Sequence, residues 1–277
     1  MTVLSCHART LSSRNQKHPR SDFSINVPLT PRCSKQGIVK STLENESSIF
    51  HDNRASHDEI MSLPSTYRRL VARKTGQSFR DVAEIEHAEL PDPSSLSAGC
   101  CLVKVKFAGV NGGCETFRSR GEYWFERNKN VDTYSLGAEG AGLVVAAGPD
   151  EDGTMEKIRP GDHVMFVGGA FSEYVTVKTS QCFRIEDARG SSPEAVALRI
   201  SGLVAYSSLT HVAGMKEGDT VLVTAGAGAT GSFAVQYAKR AGCHVVATCR
   251  NEVKSRILTE RFGVDRVIDY SKEVDVC

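Results

Sequence analysis

Thr220-Val-Leu-Val-Thr-Ala-Gly-Ala-Gly-Ala-Thr-Gly231 is the stretch whose reading decides the fold. The short apolar run Thr220 to Thr224 suits a buried strand. A glycine-rich turn follows, and then a helix is predicted from about Thr230 to Ala241. Phe233 and Tyr237, with Ala234 and Ala238 beside them, supply its apolar stripe. Gly242 stands where a left-handed residue would end the helix. Gly226, Gly228 and Gly231 fit G-x-G-x-x-G. The string alone is weakly specific. Between an apolar strand and a helix it becomes a site: the first glycine permits a sharp turn, the second lets backbone approach a pyrophosphate, and the third lets helix pack on strand. Backbone N–H groups and the positive end of the helix dipole would face the anion, with the Thr230 hydroxyl beside them. No Gly-Lys-Ser/Thr follows, which excludes a P-loop.

Working outward, a second strand is expected at His244-Val-Val-Ala-Thr248, a helix from about Glu252, and a third strand at Arg266-Val-Ile268. Strand, helix, strand, helix, strand with short connections is the opening half of a doubly wound parallel sheet. A helix over Val196 to Val212 and a turn at Lys216-Glu-Gly218 precede it.

From about Tyr67 the pattern is of short strands: Arg69 to Arg73, Leu102 to Phe107, Gly142 to Ala147, His163 to Val167 and Ser172 to Val177. In Leu102 to Phe107 the alternation puts Val103, Val105 and Phe107 on one face and Lys104 and Lys106 on the other. Pro160-Gly161-Asp162 reads as a turn. Residues 66–188 are therefore expected to form a small β-barrel or sandwich, and residues 189–277 the partial parallel sheet.

Residues 1–65 differ. They are rich in Ser, Asn, Arg, Lys and His, and up to Lys40 hold a single acid, Asp22. That composition suits a disordered extension or an organellar, for example mitochondrial, transit peptide; without targeting, a cytoplasmic protein is expected. The net charge of +1 offers no electrostatic reason to expect nucleic acid. No apolar run is long enough to span a bilayer. The nine cysteines include no C-x-x-C pair, which argues against a disulfide framework or a structural zinc site.

The end of the second strand bears on which dinucleotide is held. A carboxylate would suit a free ribose 2′-OH. The chain reads Thr248-Cys-Arg250-Asn-Glu-Val-Lys254, whose Arg250 and Lys254 suit a 2′-phosphate, so NADPH is expected over NADH. Glu252 is the counter-argument, but it falls in the first helical turn, where acids are common.

Thr224-Ala-Gly-Ala-Gly-Ala-Thr-Gly-Ser-Phe-Ala234, Ser201-Gly-Leu-Val-Ala-Tyr206, Gly161-Asp-His-Val164 and Ser172-Glu-Tyr174 together resemble the quinone oxidoreductase branch of the medium-chain dehydrogenase/reductase superfamily. The resemblance implies a GroES-like β-barrel domain followed by a Rossmann domain, with the active site in the cleft between them. It implies that Thr230, Lys254 and Tyr270 contact NADP. Arg250 falls where the family more often has Ser. A homodimer is compatible with it.

The superfamily's catalytic zinc would take a Cys where this chain has Asn111 and a His where it has Ala138. Neither suits zinc, so no metal is expected. Without one, reduction of the polarised C=C of an enone or quinone by NADPH is the expected chemistry. Asn111 and Tyr123 are the candidates to stabilise the oxyanion and supply a proton. Tyr123 also suits an aromatic cluster with Trp124 and Phe125, and Tyr270 also suits plain packing. The chain ends just past its third Rossmann strand, where about six are usual. It is expected to be part of a longer parent protein, and the alternative to a reductase is a nucleotide-binding fragment or member without turnover.

Overall fold

The computed structural model of the chain describes residues 2–4, 63–120, 133–151, 157–186 and 190–272. Among the described residues the first lobe holds eight strands. They are β2 (Thr66–Ala72), β3 (Ala83–Glu89), β4 (Cys100–Gly109), β5 (Tyr134–Ser135), β6 (Glu139–Ala147), β7 (His163–Val167), β8 (Tyr174–Lys178) and β9 (Phe183–Arg184); β1 (Thr2–Leu4) belongs to the second lobe. They make a three-stranded sheet in the order β3-β2-β5 and a five-stranded sheet in the order β8-β4-β6-β7-β9, with antiparallel neighbours throughout.

The middle strand β6 is buried on both faces. Val144 lies with Cys101, Val103, Val164 and Phe166, while Leu143 and Val145 lie with Leu102, Tyr67 and Tyr174. Tyr67 meets Tyr174 edge-on with ring centroids 6.1 Å apart, which couples the two sheets. The backbone bridge between Arg69 and Ser172 does the same.

The strand Leu102 to Phe107 lies within β4, but Phe107 does not join the buried face. The ladder between β4 and β6 is irregular between Val105 and Phe107, so the strict alternation of side chains breaks there. Phe107 is left exposed at the end of the strand. Strand β3 and a helix at Gly112–Ser119 are elements beyond those expected from the sequence. In β3, Glu84 and Glu86 face Arg73, and Glu86 also pairs with Arg69, so ion pairs rather than apolar burial line this edge strand.

The second lobe is a parallel sheet of β10 (Thr220–Val223), β11 (His244–Cys249) and β12 (Arg266–Asp269), with β1 paired in parallel on the free side of β10. The helix Ala229–Arg240 packs Ala234, Val235 and Ala238 into a core with Val221, Val223, Val245 and Ala247. The stripe expected on this helix shifts accordingly. Val235 and Ala238 are its fully buried apolar residues, while Phe233 and Tyr237 are only partly covered. Tyr237 instead meets Tyr206 edge-on at 5.7 Å. Gly242 takes φ 77°, the left-handed conformation that ends the helix.

The long helical stretch before β10 begins at Pro193, earlier than Val196. Ser192 caps it by accepting the Ala195 N–H at 3.2 Å. It contains two π-helical segments, Leu198–Gly202 and Ser208–Val212. The helix expected from Glu252 runs as Glu252–Arg256 and continues as a π-helical turn, Ile257–Arg261. No helix among the described residues is long and apolar enough to cross a membrane.

Candidate functional site

The glycine turn divides its labour differently from the expectation. The left-handed residue is Ala225, at φ 51°, and Gly226 takes an ordinary φ. Gly226 is required by packing instead: a Cβ there would lie 2.8 Å from the Cβ of Ala247. Gly231 matches its expected role, since a Cβ would stand 2.3 Å from the carbonyl oxygen of Ala225 and push the helix off the turn. Gly228 is the N-cap of the Ala229–Arg240 helix and uses no side-chain cap. A Cβ on Gly228 would meet only the Ala225 carbonyl, at 3.1 Å, so its outer face is open to a ligand.

The N–H groups in this turn are likewise divided. Gly228 donates to the Ala225 carbonyl at 2.8 Å and Gly226 to the Thr248 carbonyl at 2.9 Å. Ala229, Thr230 and Gly231, in the first helical turn, have no acceptor for their N–H groups among the described residues. Three N–H groups beside an open glycine face form the cradle that a pyrophosphate fits. Thr230 itself is partly buried at the helix start.

Arg250 immediately follows β11 and is exposed, as are Lys254 and Tyr270. Neither the Arg250 guanidinium nor the Lys254 ammonium has a hydrogen bond or ion pair among the described residues. Glu252 is occupied: it accepts from Arg256 at 2.9 Å and from Lys272 at 3.3 Å. Arg256 first, then Lys272, hold its carboxyl below the usual carboxylate range. The one acid between the two cations is thus paired with other cations. Tyr270 follows β12, its N–H donating to the Cys249 carbonyl at 3.1 Å, which places it beside the end of β11.

A cleft of about 340 Å3 opens between the β lobe and the helix start. Phe107, Val110, Asn111 and Glu139 line one side; Val196, Ser232 and Phe233 line the other. Asn111 therefore reaches the same cleft as the nucleotide-binding helix. Its Nδ2 donates to Oε1 of Glu139. Glu139 is buried, and its Oε2 accepts the Ile200 N–H at 2.9 Å. Burial pushes this carboxyl above the usual range, against the opposing pull of the Ile200 N–H, the Asn111 amide and the Arg199 charge. Ala138 is buried beside it and offers no ligand atom. Tyr123 lies outside the described residues.

Glu139 has no place in the expected site. The signal available in the sequence is a carboxylate opening an otherwise uncharged run, Glu139-Gly-Ala-Gly-Leu-Val-Val-Ala-Ala147. A buried acid requires partners, and those partners are far away in sequence.

Comparison with known proteins agrees with this layout. Residues 97–187 match the alcohol dehydrogenase GroES-like domain and residues 229–276 the zinc-binding dehydrogenase domain. The chain is 35% identical to a probable quinone oxidoreductase of Leishmania amazonensis over 77% of its own length and 59% of the relative's. It is 36% identical to prostaglandin reductase-3 of Bos taurus over 76% of its own length and 53% of the relative's. The chain thus spans little more than half the length of these curated relatives. A mycobacterial structure complexed with NADPH superposes with a TM-score of 0.64 and 30% identity, covering 75% of this chain and 60% of that one. With a GroES-like lobe, a Rossmann-type half-sheet and these relatives, the chain belongs to the medium-chain dehydrogenase/reductase superfamily, in its quinone oxidoreductase branch.

Proposed function

We propose that this chain carries the nucleotide-binding turn and cleft of an NADPH-dependent oxidoreductase that reduces the polarised C=C bond of enones or quinones without zinc. The observation that carries the reading is the shared cleft, lined by Asn111 from the β lobe and by Ala229, Ser232 and Phe233 from the helix that the glycine turn opens. The relatives named quinone oxidoreductase and prostaglandin reductase-3, and the NADPH complex of a similar structure, support the same chemistry.

NADPH fits the residues present. The open face of Gly228 and the N–H groups of Ala229, Thr230 and Gly231 would hold its pyrophosphate, and Arg250 and Lys254 its 2′-phosphate. Bound there, its reduced nicotinamide would supply the hydride. Zinc does not fit: the two positions that would ligate it are an asparagine engaged with Glu139 and an alanine.

The remaining work falls to the chain. One N–H of the Asn111 amide is committed to Glu139, and the second is free to donate to a substrate oxygen as negative charge develops on it. Phe107, Val110, Val196 and Phe233 give that oxygen apolar neighbours. Tyr123 is proposed, on resemblance, as the group that returns a proton.

The test is NADPH titration by fluorescence, followed by NADPH consumption with but-3-en-2-one and 1,4-benzoquinone. Binding with consumption is expected, and Asn111→Ala should lower turnover about a hundredfold, the usual effect of losing one oxyanion donor. Binding without consumption would instead mark a nucleotide-binding chain without turnover. An absence of binding overturns both readings.

A further inference from the structure

We propose that Glu139 is the positioning residue for Asn111, a buried carboxylate that sets which edge of the Asn111 amide faces the cleft. The inference rests on the reductase reading for its kinetic consequence, but its geometry stands apart from that reading.

Both oxygens of Glu139 accept, one from Asn111 and one from the Ile200 N–H, so the edge of Asn111 that meets it is Nδ2, and Oδ1 is turned elsewhere. The two carboxylate oxygens are divided between two parts of the fold. Oε1 takes Asn111, and Oε2 takes the backbone N–H of Ile200 in the π-helical segment Leu198–Gly202. A free asparagine amide rotates readily about its last torsion; one held against a carboxylate that is itself held by a helix does not.

The backbone makes room for this arrangement. Glu139 stands directly opposite Gly109 in the ladder between β4 and β6. A Cβ at Gly109 would lie 2.7 Å from both Cγ and Oε1 of Glu139, so the acid side chain occupies the space a larger residue would fill. Asn111 follows two residues later, just past the end of that strand. The charge that acts on Glu139 is that of Arg199, whose guanidinium lies over the Phe183 ring at 4.6 Å and donates to the Gln181 carbonyl at 3.3 Å. Its charge favours the ionised form of Glu139 without occupying either carboxylate oxygen.

Four variants of the full chain test the proposal: Asn111→Ala, Glu139→Ala, Glu139→Gln and the double change Asn111→Ala with Glu139→Ala. Glu139→Ala should lower kcat with but-3-en-2-one by about tenfold to a hundredfold, the scale of a misplaced catalytic group. NADPH affinity should stay within about twofold, because nothing in the glycine turn is touched. Glu139→Gln keeps one acceptor oxygen for two donors, the Asn111 amide and the Ile200 N–H, so its rate should fall between those of Glu139→Ala and the parent. The double variant should be no slower than Asn111→Ala alone, since the second residue acts through the first. Multiplying losses in the double variant, or an Ala variant that only weakens NADPH binding, overturns the proposal. Gly109→Ala, which displaces the carboxylate without removing it, should resemble Glu139→Ala; a parent-like rate overturns it too.

A parent chain that consumes no NADPH would sink the reductase reading and leave the positioning claim to a second readout. In 15N-labelled protein the Asn111 side-chain N–H pair, identified by its loss in Asn111→Ala, should shift strongly in Glu139→Ala. An unmoved resonance would show that Glu139 does not hold the amide.

Discussion

The Oγ1 of Thr248 accepts a hydrogen bond from the backbone N–H of Ala225 at 3.0 Å, tying the end of β11 to the residue that bends the glycine turn. Ala225 is the one non-glycine residue with positive φ among the described residues. A left-handed alanine costs roughly 1–2 kcal/mol, and a net hydrogen bond returns about 1 kcal/mol. The two nearly balance, so Thr248 is a principal reason the turn keeps its shape. Thr248→Val, which preserves the branched outline, is expected to lower stability by about 1 kcal/mol in urea unfolding and to weaken NADPH binding. Adding Ala225→Gly should restore the binding, because glycine adopts that φ without strain. If Thr248→Val binds NADPH like the parent, the turn does not depend on this contact.

Gly228 and Gly231 should separate binding from folding. Gly228 has φ −79° and ψ 173°, which any residue can adopt, and aspartate is a favoured N-cap. Gly228→Asp is therefore expected to melt at or slightly above the parent temperature while losing NADPH affinity by at least tenfold, since its carboxylate would occupy the anion's place. Gly231→Ala should do the opposite first, lowering the melting temperature because its Cβ meets the Ala225 carbonyl at 2.3 Å. Unchanged NADPH titration in Gly228→Asp would remove the pyrophosphate from this turn.

Arg250 and Lys254 should read the 2′-phosphate. A charge-assisted pair contributes about 1.5–3 kcal/mol, so Arg250→Ala is expected to weaken NADPH by tenfold or more, and NADH by less than about twofold. Lys254→Ala should act in the same direction and more weakly, as a point charge rather than a planar fork. Equal losses for both cofactors would place these cations elsewhere than at the phosphate.

Asp265 predicts how the half-sheet responds to acid. Its carboxylate accepts from Lys239 at 2.8 Å and from the Val245 N–H at 2.6 Å, joining the helix Ala229–Arg240 to the start of β11. Lys239 first, then that N–H, hold its pKa below the ordinary value of 3.8. A carboxyl depressed by folding stabilises the protein above its unfolded pKa, and that contribution fades as pH falls through the folded value. Asp265→Asn should thus melt lower than the parent at neutral pH, with the gap closing as the pH drops below 3.8. A gap independent of pH would point to packing rather than charge.

The β-α-β order of the second lobe was legible because its signals are local. Val221 and Val223, the glycine spacing, the stop at Gly242 and the apolar run from Val245 to Ala247 each constrain the few residues around them, and observed boundaries differ by only a residue or two. The positions of Arg250 and Lys254 just past β11 could be read for the same reason, since the end of that strand can be located. Glu139 in the site's other half was not legible. Strict alternation puts Phe107 on the face of Val103 and Val105, and an irregular register in the pairing with β6 leaves it exposed.

By itself, then, the sequence determined the class of each lobe and the residues of the glycine turn, because propensity, periodicity and spacing act within a few neighbours. Only the tertiary structure decided that Ala225 rather than Gly226 bends the turn, that Glu252 is taken up by Arg256 and Lys272, and that Glu139 meets both Asn111 and Ile200. Each of these depends on distances or backbone angles set when the chain packs, and in the last case on residues separated by 28 and 61 positions, which no local pattern records.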